Sequence, residues 1–392
     1  MSLDFDVTID SEEEEDPIED SDTVANIQEV FRQKFFIDFQ ECATLKKKYI
    51  THAASSNDYS KIAIGIGNEM QVYDFTSTGL SKYIGKNEFG QFSHPVSGVK
   101  FFNNDPNLVM ASTISGEIHM YDLRSFKKVF MFEDDTEILV KPVNCFDVNA
   151  NDRLICAGTD ELKNEVYLLF FDIRERRLMG GFFESHQEEI TDVKFHPTDP
   201  DSLASGSTDG LINIFDCKQE SEDDALLHSL NTCDSINKLK WHQDNKLSCI
   251  TNTNDLHLYD IDSQDLLKKW ERSEITESMK RKSVVDCNII DCHNIGTEMM
   301  FVATSNYNKG ECIRSIKFNE KSLDPLANIT GNNQIIRASL YNEKDNVYLT
   351  FGEGAIISVW KEGMSSDNGT SSKQMKEESS VKKKMKKKAN PY

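Results

Sequence analysis

Apolar and polar residues alternate in short runs along most of this chain, and the runs recur in a fixed order. The clearest unit is 190–216, read as ITDVKFHP, then DSLASGSTDG, then LINIFD. In the first run Val193 and Phe195 alternate with Asp192, Lys194 and His196, the period of two that marks a half-buried strand. Asp209-Gly210 supplies a tight turn into the third run, because glycine takes a positive φ without strain. An acidic stretch, 219–224, precedes a fourth strand expected near 225–230. The unit therefore predicts a four-stranded antiparallel sheet.

The third run of each unit ends in an aromatic followed by Asp: Tyr73-Asp74, Tyr121-Asp122, Phe171-Asp172, Phe215-Asp216 and Tyr259-Asp260. Phe318-Asn319 and Trp360-Lys361 continue the series without the Asp. Strand triplets near 48–74, 96–122, 143–172, 190–216, 235–260, 284–319 and 335–360 make seven units, the sixth irregular. Steps of about 40–50 residues with four strands per unit are the signature of a β-propeller. After Trp360 no residues remain for a fourth strand, whereas Lys34-Phe35-Phe36-Ile37-Asp38-Phe39 has strand character and belongs to no unit. A strand near 34–40 is therefore expected to complete the last blade and close the ring. The expected organisation is an all-β, seven-bladed propeller over 24–361. A disordered acidic head (1–23) and a disordered lysine-rich tail (362–392) flank it, both too polar to offset the entropy of ordering.

Charge sharpens this picture. The formal net charge of −22 divides into −11 over residues 1–22, +5 over 361–392 and −16 between. An acidic body argues against a duplex-DNA binder, which needs a basic face. RNA contact is expected only of the tail. The start, MSLDFDVTID, has neither a basic region nor an apolar stretch, so no secretory signal is expected. No run approaches 18 apolar residues, so no membrane span is expected. Nine cysteines without paired spacing fit a reducing interior.

With aromatic-Asp in place of Trp-Asp, and HPTDPDSLASGSTDGLINIFD at 196–216, the chain resembles the WD-repeat family. The likeness is densest over about 143–230 and implies the propeller fold, but no settled activity. In that family a His before the first strand, a Ser or Thr in the second and an Asp in the next turn form a buried hydrogen-bonded network. His186, Ser205 and Asp209 stand at these places, with Phe215 where the family has Trp. The same three residue types would suit a hydrolase, but no Gly-x-Ser-x-Gly elbow accompanies them. They are assigned a structural role and no catalytic residue is expected. Cys287, Cys292 and His293 lack a second ligand pair, so neither a metal nor another cofactor is expected.

Two motifs point to partners. Tyr121-Asp122-Leu123-Arg124 and Phe171-Asp172-Ile173-Arg174 end adjacent units. They resemble the box by which WD-repeat substrate receptors dock on the adaptor of cullin-4 ubiquitin ligases. The partner-binding candidates are thus Arg124, Arg174, Asp122 and Asp172. Lys382, Lys383, Lys384, Lys386, Lys387 and Lys388 form a cluster of the nuclear-localisation type. The expected protein is a non-enzymatic nuclear scaffold, with nucleolar enrichment or the cytoplasm as alternative locations. It would act as a ligase substrate receptor; the alternative is an acidic escort for basic clients such as ribosomal proteins or histones.

Overall fold

The computed structural model describes residues 20–76, 79–83, 89–136, 140–307 and 310–363. Most of the acidic head and almost all of the lysine tail lie outside them. Five four-stranded antiparallel sheets form blades 1 to 5, opening with Ile50–Ser55, Val96–Phe101, Val143–Val148, Ile190–Phe195 and Ile236–Trp241. Blades 6 and 7 share one eight-stranded sheet. The strand that joins them is β1 (Gln33–Cys42), which runs antiparallel to Ile356–Glu362 from Phe35↔Glu362 to Cys42↔Ile356. On its other edge Gln33, Lys34 and Phe35 pair in parallel with Ala327, Asn328 and Ile329 at the end of blade 6. One N-terminal strand thus fills the last blade and ties it to its neighbour, leaving no open edge there.

Residues 20–23, inside the head expected to be disordered, take part in the fold. Thr23 caps α1 (Val24–Val30), its hydroxyl accepting from Asn26 N at 3.3 Å. Asp20 accepts from Arg281 at 2.9 Å and from Arg314 at 3.1 Å, both nearly buried. Ile27 and Phe31 join the core formed by Trp270, Ile275, Met279 and Phe301. The buried α1 face and the paired carboxylate offset the ordering cost that composition alone left uncompensated.

The repeating aromatics explain why the pattern was visible. Tyr73, Tyr121, Phe171, Phe215, Tyr259, Phe318 and Trp360 are all buried, each in the second half of a blade's third strand. Successive blades interlock through glycines in the second strand. A Cβ on Gly65, Gly158 or Gly206 would lie 2.8, 2.5 or 2.6 Å from Val96, Ile190 or Ile236, the residue that opens the next blade. The first strands touch one another in a ring around the axis. Each has a register shift near its start, at the second residue in six of them (Thr51, Ser97, Asn144, Thr191, Asn237 and Arg337) and at Ile290, the fourth residue of Cys287–Ile295, in blade 6. A bulge twists a strand and re-aims its side chains, and here it recurs seven times at the channel mouth.

Candidate functional site

The His186 network is assembled from blade 4 and the loop before it. His186 Nε2 lies 2.7 Å from Ser205 Oγ and its Nδ1 lies 3.0 Å from Asp209 Oδ2. Asp209 also accepts from the backbone N–H groups of Gln187 at 3.0 Å and Leu211 at 2.8 Å. Burial acts to raise the Asp209 pKa, but these hydrogen bonds outweigh it and hold the carboxyl below the ordinary aspartate value. Asn213 completes the network. Its amide donates to Ser185 O at 2.7 Å and lies 3.3 Å from His186 Nε2, while its carbonyl accepts from Ser229 Oγ at 2.7 Å. Ser205 and Asn213 are fully buried and His186 is 5% exposed, so no substrate reaches the hydroxyl. Phe215, in the Trp place, stays apolar against Phe182. The alternation that put Phe215 inside puts Asn213 on the same side two residues earlier, a signal that sequence reasoning passed over. In blade 7 a Trp does donate: Trp360 Nε1 to Thr350 Oγ1 at 2.9 Å.

The two aromatic-Asp-x-Arg boxes share a backbone and differ in their arginines. In each, the Asp caps the turn, accepting from Arg124 N at 2.8 Å or from Arg174 N at 2.7 Å. Arg124 folds back in a two-pronged pair with Asp122, Nε to Oδ1 at 3.0 Å and Nη2 to Oδ2 at 2.9 Å. It also lies 3.4 Å from Asp105, and its fork holds the Asp122 carboxyl below the usual range. Arg174 is exposed and makes no ion pair among the described residues. Lys382, Lys383, Lys384, Lys386, Lys387 and Lys388 lie outside the described residues.

The acidic stretch before the fourth strand of blade 4 is partly structural. Ser221 caps the short helix α2 (Glu222–Ala225). Glu222 accepts from the backbone N–H groups of Phe183, Glu184 and Ser185 at 2.7, 2.9 and 2.7 Å. This carboxylate ties the outer edge of blade 4 to the strand connection from blade 3. Cys287, Cys292 and His293 lie along the first strand of blade 6 rather than around a point, and all nine cysteines are free thiols. His293 Nε2 meets Ser339 Oγ at 2.9 Å, and burial lowers its pKa to about 4.

Around the axis, the bulged residues Thr51, Ser97, Asn144, Thr191 and Asn237 bound a cavity of about 650 Å³, with Lys47, Lys48 and Tyr49 on its rim. Asn144 donates to Glu189 at 2.8 Å across this mouth. Exposed Tyr49 and Ile114 line this concave opening.

Residues 179–216 match the family model described as WD domain, G-beta repeat. An uncharacterised WD repeat-containing protein of Schizosaccharomyces pombe is 23% identical over 65% of this chain and 80% of its own length. The WD repeat-containing protein 89 homolog of Dictyostelium discoideum is 22% identical over 76% of this chain and 80% of its own length. Another curated relative is covered over 64% of its length. Among solved structures, a chain of the mitotic checkpoint complex superposes with a TM-score of 0.64 at 15% identity, covering 83% of this chain and 91% of that one. Propellers of this kind are in general non-enzymatic. The repeat match, the relatives and the seven closed blades agree on a β-propeller that is similar to WD-repeat proteins, the WD repeat-containing protein 89 homolog among them.

Proposed function

We propose that the protein is a nuclear, non-enzymatic interaction scaffold that serves as a substrate receptor of a cullin-4 ubiquitin ligase. The observation that carries this reading is the pair of boxes ending adjacent blades 2 and 3. Both turns are fixed by their aspartates, and Arg174 projects into solvent with its planar fork unengaged. A guanidinium on a rigid turn engages carboxylate or carbonyl partners at small entropic cost. Arg124 already spends two N–H groups on Asp122, so Arg174 carries more of the contact. The lysines 382–388 supply the nuclear address. Arg124→Ala with Arg174→Ala should abolish co-purification of the ligase adaptor, and Arg174→Ala alone should weaken it more than Arg124→Ala; unchanged recovery would sink the reading.

A second reading has its own support in charge. The −16 body and the nine acids of residues 1–19, tethered at Asp20, make an acidic escort for basic clients such as ribosomal proteins or histones. Capture of such clients should then weaken steeply with salt and fall on deletion of residues 1–19. Capture that persists through both would count against it.

A further inference from the structure

The outer strand of each of blades 2 to 6 carries a bulge at one equivalent place: Val129, Met179, Leu227, Leu267 and Leu326. The bulged residue is apolar every time. In blades 5 and 6 it is partly covered. Leu267 packs against the cluster that Ile27 and Phe31 enter from the N-terminal segment, and Leu326 against the cluster that holds Phe35 of β1. In blades 2, 3 and 4 it stays open to solvent, 37% exposed at Val129, 56% at Met179 and 51% at Leu227.

The covering segment shows what such a rim accepts. It brings a carboxylate, Asp20, to Arg281 and Arg314 at 2.9 and 3.1 Å, and Phe31 lies under the Arg314 guanidinium at 4.9 Å. β1 then adds to the edge of the outer strand of blade 6, Leu323–Ile329. An acidic and apolar segment on an arginine-bearing blade edge is thus already part of this fold. Blades 2 and 3 repeat the ingredients. Arg176 lies over Phe130, the residue after Val129, at 5.5 Å, so a cation of blade 3 sits on the rim of blade 2. Lys127 and Lys128 precede Val129 on the outer strand Lys127–Phe132, and Arg174 and Arg176 precede Met179 on Arg177–Phe182. These four cations are exposed and make no ion pair among the described residues. Asp122, opposite Lys127 in the register, is taken by Arg124. Blade 4 differs, because Leu227 follows the acids Glu222, Asp223 and Asp224.

We propose that the outer rim of blades 2 and 3 docks an acidic segment of a partner protein, its carboxylates on Lys127, Lys128 and Arg176 and its apolar side chains on Val129 and Met179. The inference rests on the reading that the boxes at Arg124 and Arg174 face a protein partner, and it names that partner's chemistry. On a body of net charge −16, four open cations in one place direct an acidic partner to this rim and away from the rest of the surface.

Carbodiimide coupling of a twelve-residue peptide repeating Glu-Glu-Leu to the full chain, mapped by mass spectrometry, tests the surface, because the reagent joins a carboxylate to an amine beside it. Lys127 and Lys128 should couple in preference to the likewise exposed Lys163 and Lys321, and a peptide repeating Glu-Glu-Ser should couple there less. Arg176→Glu with Met179→Asp, both at exposed positions, should lower coupling at Lys127 and Lys128 by about tenfold with subsaturating peptide, and leave coupling at lysines 382–388 unchanged. Coupling confined to lysines 382–388, undiminished coupling in the variant, or equal coupling of the Glu-Glu-Ser peptide overturns the proposal. Lys127 and Lys128 joined to a second copy of the chain in place of the peptide overturns it as well. Absence of the peptide site with the ligase adaptor still recovered sinks this inference alone, whereas peptide coupling without adaptor recovery sinks only the ligase reading.

Discussion

Replacing Phe35 by Ala probes how the ring is closed. Phe35 is fully buried in β1, edge-on to Tyr348 at 4.8 Å and 90°, in one cluster with Ile313, Ile329 and Trp360. It therefore touches the two blades that β1 joins. Truncating a buried Phe costs about 3–5 kcal/mol through lost transfer energy and the cavity left behind. Roughly 0.5–1.5 kcal/mol of that belongs to the aromatic pair. Phe215→Ala is the comparison, because Phe215 is equally buried but sits in blade 4. Urea denaturation should show comparable losses for both. Hydrogen exchange should separate them: Phe35→Ala speeds exchange over 33–42, 323–329 and 356–362, whereas Phe215→Ala speeds it over 190–231. A loss below about 1 kcal/mol for Phe35→Ala, or faster exchange in blade 4 instead of at the closure, would refute this account of how the propeller is shut.

Other outcomes follow from the same geometry. Ser205→Ala removes the 2.7 Å partner of His186 Nε2, leaving it only Asn213 at 3.3 Å, and should cost about 1–3 kcal/mol of stability; loss of a catalytic rate in the folded variant would contradict the structural role. Gly206→Ala drives a Cβ against Ile236 at 2.6 Å and should destabilise by about 1–3 kcal/mol, visible as a lower melting temperature; an unchanged melting temperature would show that the blades can separate there. His242, buried beside Ser248 at 2.8 Å, has its pKa lowered by burial to about 3 from the ordinary 6.5. The unfolded chain then takes a proton below pH 6.5 that the folded chain refuses, so stability is full above 6.5 and falls as pH drops towards 3. The slope approaches about 1.4 kcal/mol per pH unit. His242→Gln should flatten the decline of the urea midpoint over about pH 6 to 5, and an unchanged slope would assign the proton elsewhere.

Much of the fold was legible because one physical requirement repeats. The residue before the blade-ending Asp must be a large apolar group buried between sheets, so Tyr73 to Trp360 announced the blades even without the family's Trp-Asp pair. His186, Ser205 and Asp209 were legible as a set because they lie within 24 residues of one another. What escaped depends on contacts distant in sequence. Asp20 meets Arg281 and Arg314 across 261 and 294 residues. Asp147, Asp192 and Asp291 accept from backbone N–H groups 47 or 48 residues ahead, one blade along. Their carboxylates look like ordinary exposed positions of alternating strands until the next blade is packed against them. Arg124 illustrates a different limit. Its box matches that of Arg174 letter for letter in its polar residues, but only Arg124 has Asp105 within 3.4 Å to draw its fork inward.

Affinity purification of the full chain from nuclear extract, at low and at high salt, tests the scaffold reading most directly. A ligase adaptor recovered at both salt levels, and lost from the Arg124→Ala/Arg174→Ala variant, is the expected result. Recovery of basic proteins alone, all released by high salt, would contradict it.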